Sequence, residues 1–207
     1  MRNIYFKNES YYELSNEGQM GQKVFIDDLD KVRLLFMILH FQSPTKVNNP
    51  NWYCNNFNRK LSFGIKKEKQ EEMIKIRNLE LLCFSIRDEG FYLLIKSLDD
   101  DVPSAYMHRI LTGYSKYFNS KYKRKGHVFS GPFKARLLAD KKKLIDASIL
   151  IHQSNLSSKT SFIHEDKWSS FSDYIESNRW GDFLKTNYIL SGFKTQTEYK
   201  NLVLTNK

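Results

Sequence analysis

Residues 78–96, with the sequence NLELLCFSIRDEGFYLLIK, decide the fold of this chain. Apolar side chains occupy nearly every position from 79 to 86, which is typical of a β-strand that is buried on both faces. A short polar turn follows at 87–90, where Gly90 permits a positive φ. Apolar residues resume at 91–95 as a returning strand. The stretch therefore predicts a central β-hairpin.

The composition predicts one globular domain that binds a polyanion. The chain has 207 residues, 41% of them hydrophobic, which suffices to bury a sizeable core. We expect a single domain with its core at about 9–156 and a C-terminal extension at about 157–207. A formal net charge of +10 points first to nucleic acid as the partner. Cys54 and Cys83 form no metal-binding or disulfide pattern, which favours a reducing, cytoplasmic setting. We find no signal peptide and no apolar run long enough to span a membrane, so we expect no membrane association.

Periodicity and turn signals place the remaining elements around the hairpin and predict an α+β fold. Asp27 or Asp28 caps a helix that continues to about Phe41. Pro103 suits the first turn of a second helix, which ends near Tyr122. The other predicted elements are a strand at 9–15, a loop at 43–57, a charged helical turn at 66–72, a short strand ending at 138, a helix that begins at 141, an aromatic-rich turn and helix start at 168–174, and one or two short helices at 187–204.

Residues 121–143 carry most of the excess positive charge. They hold nine lysines and arginines against the single acid Asp140. Cations pair with phosphates and aromatic rings stack on unpaired bases, so the segment predicts a nucleic-acid-binding surface. The alternative interpretation is a solvated helix end followed by core phenylalanines. The predicted binding residues are Lys121, Lys123, Arg124, Lys125, His127, Phe129, Phe133, Lys134 and Arg136.

The order of motifs along the chain resembles that of the REP-associated tyrosine transposases, a branch of the single-tyrosine HUH transposases. The resemblance covers nearly the whole chain, and its most specific segment is YSKYFNSKYKRKGHVFSGPFKARLL at 114–138. The other similar segments are YYELSNEGQMGQKVFIDDLDKVRLL at 11–35, LLCFSIRDEGFYLLIK at 81–96, LIHQSN at 150–155, KWSSFSDYIES at 167–177 and ILSGFKTQTEYKNLV at 189–203.

This resemblance implies both a fold and a chemistry. The implied fold is an antiparallel sheet of ferredoxin-like type with helices on one side, to which this chain adds a C-terminal helical extension. Family members cut single-stranded DNA beside hairpins. Two histidines separated by one apolar residue hold a divalent metal, and a tyrosine on a later helix attacks the phosphate.

The chain departs from the family pattern at the positions of the metal ligands and of the nucleophile. The two histidine positions fall on Gly90 and Tyr92, which do not form a metal site. The nucleophile position falls on Leu150, which we interpret as a core residue, and a metal-ligand position falls on Ser154. We therefore predict an inactive, domesticated homologue without metal or cofactor. It would bind a structured DNA, either a hairpin or a single-strand junction, through the basic segment.

Three alternatives remain open. The first is an active nickase with relocated chemistry, with Tyr92 or Tyr114 as nucleophile and Asp88, Glu89 and His152 as metal ligands. The second is an RNA target, because nothing in the sequence separates RNA from DNA. The third is a subunit of a larger assembly that docks a protein partner through an aromatic surface including Trp168 and Trp180.

Overall fold

A computed structural model describes residues 4–57, 62–156 and 167–205, which are built around one four-stranded antiparallel sheet. The strands are β1 (Tyr11–Glu17), β2 (Leu79–Ile86), β3 (Gly90–Ser97) and β4 (Lys134–Leu138), in the spatial order β2-β3-β1-β4. Strands β2 and β3 are the predicted hairpin, and every residue of β2 is buried. The predicted α+β fold class is confirmed.

The helices lie close to their predicted positions. One difference is a short helix inside the predicted loop at 43–57, where Pro50 supplies a backbone angle that suits a first helical turn. The helices in the described part of the chain are α1 (Asp28–His40), α2 (Pro50–Asn55), α3 (Lys67–Lys75), α4 (Val102–Lys121), α5 (Lys141–Gln153), α6 (Phe171–Ile175), α7 (Asn187–Leu190) and α8 (Gln196–Thr205).

Helices α1 and α4 cover the first face of the sheet. The Asp27 side chain caps α1 by accepting a hydrogen bond from the backbone N–H of Asp30, as the sequence predicts. The apolar sides of both helices join alternate strand residues in one buried cluster. Members of this cluster include Leu14, Phe91 and Leu93 from the strands, Leu35 and Phe36 from α1, and Ile110 and Phe118 from α4.

Helices α5, α6 and α8 cover part of the second face, so the expectation of helices on one side only is wrong. Leu82, Cys83 and Leu94 of the hairpin pack there against these helices. The physical reason lies in β2, whose apolar side chains point to both faces and require cover on each. The C-terminal residues also close the outer edge of β2, where the backbone N–H of Ile86 donates to the carbonyl of Trp168 at 2.8 Å. The expected start of the extension at 157 lies outside the described residues.

Both cysteines are buried free thiols, as expected for Cys83 in the apolar strand. Cys83 is more than a small apolar residue, because its Sγ lies 3.2 Å from Nε2 of His152. Throughout the described ranges, no helix has the length and apolar content that crossing a membrane requires.

Candidate nucleic-acid interface

The second face of the sheet is open at the end that α5 leaves uncovered. Polar residues of three adjacent strands line a cavity of about 490 Å³ there, which we call the sheet cleft. Tyr92 of β3 occupies its centre line, because it pairs across strands with Ser15 of β1, and Ser15 pairs in turn with Lys134 of β4. The charged residues of the cleft are Glu13, Glu17, Arg87, Glu89, Lys134 and Arg136.

The cations on β4 are paired with carboxylates on β1. Lys134 Nζ lies 2.5 Å from Glu17, and the hydrogen bond to this carboxylate raises the pKa of Lys134. Arg136 Nε donates to Glu13 Oε2 at 3.0 Å. Neither acid is among the predicted binding residues. The alternation of side chains along β1 could have indicated them, because it places Glu13 and Glu17 on the same face of the sheet as Lys134 and Arg136 of β4.

The residues that follow α4 form an exposed basic loop, which we define as residues 122–127. Lys123, Arg124, Lys125 and His127 are all exposed, and they make no ion pair with any carboxylate of the described residues. Backbone contacts hold the loop in shape: Arg124 N donates to the carbonyl of Asn119 at 2.9 Å, and the Asn119 amide donates to the carbonyl of Gly126. Three successive cations therefore face solvent without local neutralisation.

The chain continues from the basic loop along the end of β1 and into the cleft wall. Phe129 forms a bridge with Gly18, and the backbone N–H of Ser130 donates to the carbonyl of Glu17 at 2.8 Å. The Asn16 amide donates to the carbonyl of Gly131 at 3.1 Å. Strand β4 begins three residues later at Lys134. The loop and the cleft are thus joined by one well-bonded segment.

Lys121 is part of an internal ion cluster and differs from the other cations of the basic segment. Its ammonium lies 2.7 Å from Asp27 and 2.8 Å from Asp30, whose side chain is fully buried. Partial burial lowers the pKa of Lys121, but the hydrogen bonds to these carboxylates outweigh it and raise the pKa overall. The hydroxyls of Tyr117 and Tyr122 also donate to Asp30. Lys121 therefore anchors the end of α4 to the start of α1.

The two phenylalanines of the basic segment are core residues. Phe129 and Phe133 are only 6% and 8% exposed. The Phe129 ring contacts the rings of Phe91 and Tyr114, with centroids 5.9 and 5.8 Å apart. This burial argues against the predicted base contact and favours the alternative interpretation that both rings stabilise the core.

Gly90 occupies a position where only glycine fits. A Cβ atom built there would lie 2.5 Å from the carbonyl oxygen of Asn16 and 3.0 Å from Cα of Glu17. Its φ is not positive, contrary to expectation, so the close approach of β1 rather than a left-handed turn requires glycine. A histidine at this position would displace the β1 backbone. The residues present therefore do not fit the metal that the family resemblance implies.

Three other residues occupy positions that carry catalytic groups in the resembling family: Tyr92, Leu150 and Ser154. Tyr92 lies in the cleft, and its cross-strand neighbour Ser85 hydrogen-bonds to Ser154 of the segment after α5, with 3.0 Å between the two Oγ atoms. Leu150 is 59% exposed, so its interpretation as a core residue is wrong. The periodicity of α5 turns Ala147 and Ile151 inward and leaves position 150 outside.

The groups suggested for relocated chemistry do not come together. Tyr114 lies in the first-face core, where burial raises the pKa of its hydroxyl and this hydroxyl donates to the carbonyl of Val24. His152 lies under the second face, hydrogen-bonded to Tyr199 at 2.7 Å and to Ser170 at 2.8 Å. Burial lowers the pKa of His152 to about 3. This histidine is a buried structural residue.

Asp88 and Glu89, the two acids suggested as metal ligands, are engaged in ion pairs instead. The Asp88 carboxylate accepts from Lys23 and Lys31, each at 2.7 Å, and the first of these hydrogen bonds is the main cause of its lowered pKa. Glu89 lies 3.7 Å from Arg87. In the part of the chain that the structure describes, no three histidine, cysteine or acidic residues are grouped so that they could hold a metal ion.

Of the two tryptophans suggested for a protein-docking surface, one lies in the core and the other is partly covered. Trp180 is 8% exposed and belongs to the first-face core. Trp168 is half-buried, and the ammonium groups of Lys31 and Lys167 lie 5.7 and 4.8 Å from its ring centroids.

Sheet order, helix placement and one open sheet end together define an α+β fold with a four-stranded antiparallel sheet. A solved structure with this fold is that of a REP-associated tyrosine transposase bound to a REP hairpin, with a TM-score of 0.52 and 12% sequence identity over 84% of each chain. No protein-family model matches this chain. No curated protein matches it either. At this level of identity the likeness shows that the two chains share a fold.

Proposed function

We propose that this protein is a catalytically inactive, transposase-like nucleic-acid-binding protein that recognises a structured strand, either a hairpin or a single-strand junction. The observation that carries the proposal is the run of three exposed cations, Lys123, Arg124 and Lys125, which no described carboxylate neutralises. Cations in this state gain most from contact with phosphates, because no internal ion pair has to break first.

The fold supports nucleic acid as the partner. The structural neighbour is bound to a REP hairpin. The basic loop of this chain leads into β4, which forms one wall of the sheet cleft. We assign duplex phosphates to the basic loop and the unpaired strand to the cleft, where the Tyr92 ring offers a face for a base. His127 lies beside the three cations as a further phosphate contact.

Lys134 and Arg136 have a smaller role in this proposal. Each is already paired with a carboxylate of β1, so a phosphate would have to compete with Glu17 or Glu13. Lys121 and the two phenylalanines are assigned to the folded core rather than to the interface.

Three features support the absence of catalysis. Position 90 has no room for a metal-binding side chain. Tyr92 has no histidine neighbour of the family type beside it in the cleft, and Leu150 has no group that attacks a phosphate. The nucleotide target is therefore expected to be bound and released uncut.

The salt dependence of binding tests the proposed surface. Removing one phosphate contact lowers the slope of log affinity against log salt by about 0.7–0.9. We expect the variant Lys123→Ala/Arg124→Ala/Lys125→Ala to reduce this slope by roughly two to three units on a hairpin with a single-stranded tail. The matched control is Lys141→Ala/Lys142→Ala/Lys143→Ala, which removes the same charge from the start of α5. An equal reduction in both variants would show net charge rather than the basic loop to be responsible.

A further inference from the structure

Arg33 of α1 is a buried cation without an anionic partner. The residue is only 8% exposed, and its Nε has no hydrogen-bond partner in the described part of the chain. One Nη donates to the side-chain oxygen of Asn51 at 2.7 Å, and the guanidinium lies 5.1 Å from the ring centroid of Tyr117. Buried charges in proteins are normally paired, because taking an isolated ion out of water is costly. The position of Arg33 therefore requires an explanation.

The half-buried Arg109 of α4 shows the contrast. Arg109 donates to the carbonyl of Ser43 at 2.7 Å and to those of Phe41 and Thr45 at 3.4 Å. Its guanidinium is thus surrounded by acceptors of the chain itself. Arg33 has the Asn51 amide oxygen and the Cys54 thiol as uncharged partners, and it lines a cavity.

This cavity lies between α1, α2 and α4 and measures about 230 Å³. That is several times the ~30 Å³ that a water molecule occupies in the liquid, so a small anion fits with some of its hydration. The residues around it include two cations and no acid. Those with polar or ionisable groups are Arg33, Asn51, Cys54, Asn55, Tyr117 and Lys121.

The other lining groups are compatible with a negative ligand. Burial is the main effect on the Cys54 thiol and raises its pKa to about 11, although the nearby Arg33 opposes it, so the thiol stays neutral at physiological pH. The side-chain amide of Asn55 offers a donor. Lys121 contributes no free positive charge, because its ammonium pairs with Asp27 and Asp30, so the guanidinium of Arg33 is the cation that a ligand can reach in this cavity.

We propose that the cavity between α1, α2 and α4 is an anion site that binds a phosphate group through the guanidinium of Arg33. The planar guanidinium matches the geometry of phosphate oxygens. This proposal is independent of nucleic-acid binding, because inorganic phosphate can pair with the Arg33 guanidinium in the same way as a phosphate of a nucleic acid.

The test uses the full-length protein and inorganic phosphate, compared with chloride at equal ionic strength. We expect phosphate to raise the melting temperature of the wild type and of Arg109→Gln, which keeps the cavity intact. In Asn51→Asp the new carboxylate takes the place of the anion. That variant should melt higher than wild type without ligand and bind phosphate on the order of tenfold more weakly or worse. Arg33→Gln should lose the phosphate response as well.

Two results would overturn the proposal. Phosphate that stabilises the wild type no more than chloride does would show that there is no anion site. An unchanged phosphate response in Asn51→Asp, with the variant folded, would place the binding elsewhere. Because no nucleic acid is present in this assay, its failure leaves hairpin binding by the basic loop untouched.

The source of the phosphate is assigned by competition. Hairpins with a 5′-phosphate and with a 5′-hydroxyl are each titrated against bound inorganic phosphate. Displacement by the phosphorylated hairpin alone supports a terminal phosphate of the nucleic acid, and displacement by neither supports a free phosphate.

Discussion

Replacing Gly90 by alanine tests whether the fold itself excludes the metal site of the resembling family. The added Cβ would lie 2.5 Å from the Asn16 carbonyl oxygen and 3.0 Å from the Glu17 backbone, where β1 and β3 pair. Overpacking of this kind costs about 1–3 kcal/mol, because backbone cannot move aside as a flexible side chain can. Alanine has less conformational entropy than glycine in the unfolded chain, and this difference offsets about 0.4–1 kcal/mol of that cost. We expect a net loss of about 1–2 kcal/mol in the free energy of unfolding.

Gly131→Ala is the matched control. A Cβ at that position meets no heavy atom within 4 Å, and its φ is not in the left-handed region. We expect a change within about 0.5 kcal/mol, or a slight gain. Urea denaturation of both variants at one pH gives the comparison directly. If Gly90→Ala proves as stable as Gly131→Ala, the steric reasoning is refuted.

The same reasoning extends to histidine. Gly90→His carries the same Cβ and a larger ring, so its loss of stability should exceed that of Gly90→Ala. The double variant Gly90→His/Tyr92→His restores the family's residue types but not the space for them. We expect it to bind Mn²⁺ no better than the wild type in calorimetric titration.

Three further predictions concern an exposed leucine, an ion-paired lysine and two buried histidines. Leu150→Ala should change the free energy of unfolding by no more than about 0.5 kcal/mol, because the side chain is exposed; a loss typical of core leucines would contradict this. Lys121→Ala should cost about 3 kcal/mol, because it leaves the buried Asp30 carboxylate without its cation, while the salt dependence of hairpin binding stays near that of wild type. Burial holds the pKa of His152 at about 3 and of His40 at about 4, below the ordinary 6.5. Below pH 6.5 the unfolded chain therefore binds protons at these histidines that the folded protein does not bind. The free energy of unfolding should fall between pH 6.5 and 4 by up to about 1.4 kcal/mol per pH unit for each histidine. Denaturation at pH 7 and pH 5 measures this, and an unchanged midpoint would contradict it.

The elements of the fold could be predicted from the sequence because their signals are local. The apolar runs around the 87–90 turn specify the hairpin, and Asp27 specifies the start of α1. The placement of helices on both faces was also implicit in the apolar character of β2, which needs cover on each side. The resemblance pointed instead to helices on one side, and the local pattern was the better guide.

The contacts of the candidate site could not be predicted, because they join residues far apart in the chain. Lys121 looks like a free surface cation in sequence, and its pairing with Asp30 spans 91 positions. Phe129 and Phe133 sit among cations and glycines, yet the chain turns their rings inward beside Phe91 and Phe6. The restriction at Gly90 arises from the neighbouring strand, which no local pattern reveals.

The measurement that tests the central claim most directly is a combined binding and cleavage gel. The purified protein is titrated with a labelled DNA hairpin bearing a single-stranded tail, with the matching RNA hairpin and with plain duplex, in the presence and absence of Mg²⁺ or Mn²⁺. We predict salt-sensitive binding of the hairpin with its tail, stronger than that of duplex, and no cut product under any condition. A cut product that depends on the metal would contradict the proposed inactivity. Absence of binding at low salt would contradict nucleic acid as the partner.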